Sequence, residues 1–100
     1  MGKLTWQQLA NFFGGSGFNL TPDEAAKILT KTLLTNNWKT QRMWEDQDVV
    51  ASWTQVLYEH DKLAKKYGKH KAVFNLFKSR AVKNFQLMAR IHWKSYRTFR

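Results

Sequence analysis

The sequence predicts an all-α fold: a small single-domain helical bundle of about four helices, ending in a long basic C-terminal helix. Three observations carry this. Apolar residues recur at 3.6-residue spacing over long stretches, no stretch alternates with period two, and helix start and stop residues bracket the periodic segments. With 100 residues there is room for one hydrophobic core. Residues 1–100 are therefore read as a single helical domain, with 1–20 an N-terminal helix plus glycine-rich connector and 21–100 the main body.

Each element has its own justification. Over 5–13, Thr5 with Gln8 fits a capping box and Leu4 with Leu9 a hydrophobic staple. Gly14, Gly15 and Gly17 then make continuation costly. The next helix starts at Thr21, a natural N-cap, with Pro22 at the position where its missing N–H costs nothing and Glu24 completing a capping box. Ala25, Ile28, Leu29, Thr32 and Leu33 keep helical spacing until Asn36 and Asn37. Residues 38–47 read as irregular or one short turn carrying Trp38, Met43 and Trp44.

A helix over about 48–67 follows. Val49, Val50, Trp53, Val56, Leu57, His60, Ala64 and Tyr67 trace one face of it. Glu45, Asp46 and Asp48 sit at the positive end of its dipole, Lys65 and Lys66 at the negative end, and Gly68 at the stop. The last helix is expected over 70–96, unbroken because no Gly or Pro interrupts it, and about 40 Å long. Phe74, Phe77, Ala81, Phe85, Met88, His92, Ser95 and Phe99 form its apolar stripe. Trp53, Phe74, Phe77, Phe85 and Met88 are the expected core.

Charge is the most informative feature for function. Residues 1–61 hold five Lys or Arg and all seven Asp and Glu, whereas 62–100 hold twelve basic residues and no acidic one. The net charge of +10 thus lies wholly in the last 39 residues. Such asymmetry points to a polyanionic partner. Lys69, Arg80, Lys83, Arg90, Lys94 and Arg97 fall opposite the apolar stripe, where they could neutralise phosphates. Trp93, one turn from Arg90 and Arg97, could stack on a base. Leu76 and Leu87 lie within the same basic stripe, and packing of these two and Trp93 against another part of the domain is the competing use.

Other classes find little to stand on. The absence of cysteine excludes disulfide frameworks and cysteine-based zinc sites. The spacing between the two middle helices is too long for a helix-turn-helix. His60 is flanked by Glu59 and Asp61, but successive helical residues diverge and cannot ligate one metal. His60 and His92, on apolar faces, are expected to be satisfied core histidines. His92 and Ser95 share a face without an orienting carboxylate, and the glycines near residue 15 lack a P-loop ending. No segment has the apolar length of a membrane span. A non-enzymatic intracellular protein without cofactor or metal is expected.

The segment Trp53-Thr54-Gln55-Val56 through Leu63-Ala64-Lys65-Lys66 to Ala72-Val73-Phe74-Asn75-Leu76-Phe77 resembles the later part of an FF domain. It departs from that pattern in a shorter spacing between Trp53 and Phe74 and in lacking an Asp-Pro turn. The resemblance implies a module that binds acidic or phosphorylated peptides. Two functions are thus expected in order: a basic nucleic-acid-binding accessory protein, DNA or RNA, suited to a larger nucleoprotein assembly; or an interaction module docking on an acidic or phosphorylated protein.

Overall fold

In the computed structural model, residues 20–34, 38 and 42–98 are described, the side chains of 22, 42 and 93–98 excepted. The expected 5–13 helix, the glycine connector, Asn36, Asn37 and Phe99 lie outside them. Among the described residues there are four α-helices and no strand. They are α1 (Pro22–Leu33), α2 (Gln47–Tyr67), α3 (Lys69–Leu76) and α4 (Arg80–Thr98), with a 3₁₀ turn at Arg42–Glu45 between α1 and α2. The all-α expectation holds.

Helix α1 begins as its sequence requires. Thr21 Oγ1 accepts from the Glu24 amide at 3.2 Å, and Glu24 Oε1 accepts from the Thr21 amide at 2.9 Å. This reciprocal box satisfies two donors that a helix start otherwise orphans. The helix ends at Leu33, with Leu34 in the left-handed region at φ 56° and its amide donating to Thr30 O. Helix α2 is capped by Asp46, whose Oδ1 accepts from the Asp48 and Val49 amides. Gly68 closes α2 through its amide to Ala64 O and opens α3 through its carbonyl to the Ala72 amide. It does so at φ 88°, ψ 158°, a conformation that glycine adopts without the Cβ penalty.

The expected single helix over 70–96 is corrected: the chain breaks after Leu76 and restarts at Arg80. Tight bonds from Lys78 N to Asn75 O and from Ser79 N to Leu76 O end α3. Ser79 then caps α4, its Oγ accepting from Val82 N at 3.3 Å. Packing explains the break. The buried residues of α3 are Ala72 and Leu76, and those of α4 are Val82, Phe85 and Ala89. On one continuous helix these two sets would point about 130° apart. A turn between them lets both face α2, the element on which α3, α4 and the 3₁₀ turn all pack.

The core is therefore differently composed from the expected one. Trp53 and Phe85 are fully buried, and Phe77 and Met88 are half-buried against the same cluster. Phe74 is 65% exposed, because the break removes it from the stripe. Trp38, Met43, Trp44, Ile28 and Leu29 join the core from the α1 side. Phe85 lies 5.1 Å from the Trp53 ring and 6.1 Å from the Trp44 ring, centroid to centroid, within the range of favourable aromatic pairs. Trp44 Nε1 donates to Trp38 O at 2.7 Å, so its indole is buried without losing its hydrogen bond. Gln86 Nε2 donates to Thr32 O at 3.1 Å and satisfies one of the carbonyls that the end of α1 leaves open.

Phe85→Ala should cost about 3–5 kcal/mol, the range for a fully buried Phe, while Phe74→Ala should stay within about 0.5 kcal/mol. Urea unfolding of the two variants checks this; equal losses would contradict the broken helix. Thr21→Ala should cost about 0.5–2 kcal/mol through the lost cap, read in the same experiment.

Candidate nucleic-acid interface

Burial of Val82, Phe85 and Ala89 fixes the roll of α4 about its axis, and the opposite face follows from that. Arg80, Lys83 and Arg90 are exposed there. Together with positions 87, 94 and 97 they occupy an arc of about 100° on the helix. None of the three makes an ion pair among the described residues. No carboxylate occurs anywhere along α4, so their charge is not offset locally. Leu87, within this arc beside Arg80, is 51% exposed. Leu76, placed by sequence in the same stripe, is instead in the core. The helical backbone carries Trp93, Lys94 and Arg97, whose side chains lie outside the described ones.

Lys69 does not belong to this face. The break puts it on α3, where Nζ stands 3.3 Å from Glu24 Oε1. The Thr21 amide holds the Glu24 carboxyl below its ordinary range despite some burial, and Lys69 adds to that lowering.

The two histidines differ from expectation in opposite ways. His92 is not a core residue: it is half-exposed, and its Nε2 lies 2.7 Å from Asp46 Oδ2. Burial opposes ionisation of Asp46, but the Val49 amide, the His92 ring and the Asp48 amide outweigh it and keep that carboxyl low. One carboxylate thus caps α2 and ties α4 to it. His60 is a core residue, 1% exposed, but not a satisfied one. Neither of its ring nitrogens has a hydrogen-bond partner among the described residues. Burial pushes its pKa down, Glu24 and Asp61 push it up, and Lys69 adds to the lowering.

Among the described residues there is no group of three His, Cys, Asp or Glu side chains able to hold a metal. No helix there is long and apolar enough to cross a membrane. Comparison of the chain with protein-family models, curated proteins and solved structures gave no match, so the FF-domain resemblance gains no support from them.

A depressed His60 pKa sets a pH dependence. The unfolded chain binds a proton at His60 below about pH 6.5, whereas the fold resists it until lower pH. Stability should therefore fall as pH drops from about 6.5 through the folded-state value. Asp46 adds a separate loss, lower still, in the carboxylate range. Denaturation midpoints from neutral to mildly acid pH, compared with His60→Gln, isolate the first effect. An identical slope in the variant would refute the assignment.

Proposed function

We propose that the chain is a non-enzymatic nucleic-acid-binding accessory protein that docks the basic face of α4 on a phosphate backbone. The observation that carries this reading is a helix face with Arg80, Lys83 and Arg90 exposed and, among the described residues, unpaired, on a helix without any carboxylate. Lys94 and Arg97 continue the face by register, and Trp93 borders it. Concentrated positive charge neutralises phosphates and releases counterions, giving affinity that is independent of sequence and weakened by salt. A rigid helix spaces these charges at fixed intervals, which suits a repeating polyanion better than a single charged side chain. The half-exposed Leu87 offers apolar contact within the same surface.

An acidic protein could meet the same face through the same charges, and that is the second reading. The exposed apolar pair Leu87 and Ile91 favours it, since a protein partner would cover both. Binding to duplex and single-stranded oligonucleotides across a salt series separates the two.

On duplex DNA, five engaged side chains should give a log–log salt slope of about −4.5, from about −0.9 per phosphate. Reversing Arg90, Lys94 and Arg97 to Glu should abolish binding with helix content unchanged, and Lys83→Glu should weaken it. Trp93→Ala should selectively lower single-strand affinity, by about 1–3 kcal/mol per stacked base. No polynucleotide affinity at low salt, together with a nuclease-resistant complex with an acidic protein, would transfer the face to the second reading.

A further inference from the structure

A second cationic feature lies away from α4. A cleft of about 240 Å³ opens between α1, α2 and α3, with Lys27, Lys31, Lys69 and Glu24 at its walls and His60 among its lining residues. Among the described residues the rest of the lining is aliphatic, and α4 contributes none of it. We propose that this cleft binds a phosphate monoester group or the free phosphate ion, held by the three lysines and a ring N–H of His60.

Four observations support this. First, His60 is almost wholly buried yet both its ring nitrogens are without partners among the described residues. A buried donor left unmade costs free energy, and such a group in a native fold calls for a ligand or a role. A neutral imidazole has one N–H to donate and one nitrogen to accept. Its N–H can donate to a phosphoryl oxygen of an anion seated in the cleft.

Second, the charge is right. Among the described residues, three lysines against one carboxylate give the lining +2 with His60 neutral. A phosphate monoester, with its second pKa near 6, carries about −1.5 to −2 at neutral pH. Phosphodiesters carry only one negative charge, so this cleft favours a terminal or free phosphate over a nucleic-acid backbone.

Third, the cleft is small. Pockets for drug-sized ligands run from about 300 to 1,000 Å³, and this one is below that range, as a compact anion requires.

Fourth, the lysines are positioned by the fold. Lys27 and Lys31 are one turn apart on α1 and so share a face. Glu24 Oε1 draws Lys69 to within 3.3 Å from α3. That carboxylate is itself occupied by the Thr21 amide, so it steadies Lys69 while its own charge is partly spent in the cap.

The cleft does not depend on the α4 reading, and its test leaves α4 untouched. The full-length chain is titrated with inorganic phosphate, with glycerol phosphate and with glycerol, following the ¹⁵N resonances of the His60 ring. Saturable shifts are expected with either phosphate and none with glycerol. Tighter binding of the inorganic ion identifies free phosphate as the source; tighter binding of the ester identifies a monoester. Lys27→Gln with Lys31→Gln, both at exposed positions, should weaken binding by roughly tenfold or more, since hydrogen bonds to a charged group are the stronger kind. Arg80→Gln with Lys83→Gln should leave the titration unchanged. Absence of saturation with both phosphates, or full affinity retained in the Lys27 and Lys31 double variant, would overturn the proposal.

Discussion

The packing of Phe85 against Trp53 and Trp44 is the contact on which the other features depend. It locks α4 against α2 at one rotation, and the 3₁₀ turn that carries Trp44 is held in the same cluster. Once Phe85 faces inward, Val82 and Ala89 follow on the same side. Arg80, Lys83 and Arg90 have nowhere to go but solvent. A charged helix face therefore costs little desolvation, because an aromatic on the opposite face supplies the burial that positions it.

The turn at Phe77, Lys78 and Ser79 has consequences at both ends. It allows α3 and α4 to present differently phased apolar residues to one helix, α2. It also divides the basic half of the chain into two surfaces. Lys69 goes with α3 to a cleft shared with α1, and the later cations stay on α4. A continuous helix would have kept them in a single stripe.

The acidic half of the chain is used structurally. Glu24 caps α1 and pairs with Lys69, Asp46 caps α2 and meets His92, and Asp61 lies 3.1 Å from Lys65. Each pair links a carboxylate of the first 61 residues with a base of the last 39. Pairs whose basic partner is open to solvent, as here, contribute little stability singly. Their role is placement: two of the three sit on helix caps whose geometry is already set by backbone hydrogen bonds.

Much of this protein was legible in local sequence. The all-α class, the Thr21–Glu24 box, the run of α2 and its stop at Gly68 all follow from capping chemistry and 3.6-residue periodicity, which act over a few residues. The cationic character of α4 was legible too, since charge is additive along the chain. What the sequence alone did not yield is how helices are phased against one another. Ser79 is a good N-cap by type, but nothing local forces the chain to use it. That choice follows from α2 having room for two apolar faces that one helix cannot present together. The same tertiary constraint exposes Phe74, buries Leu76, and turns His92 to Asp46 while leaving His60 unpartnered beside three lysines. Periodicity gives each helix a face, and only packing decides which neighbours that face meets.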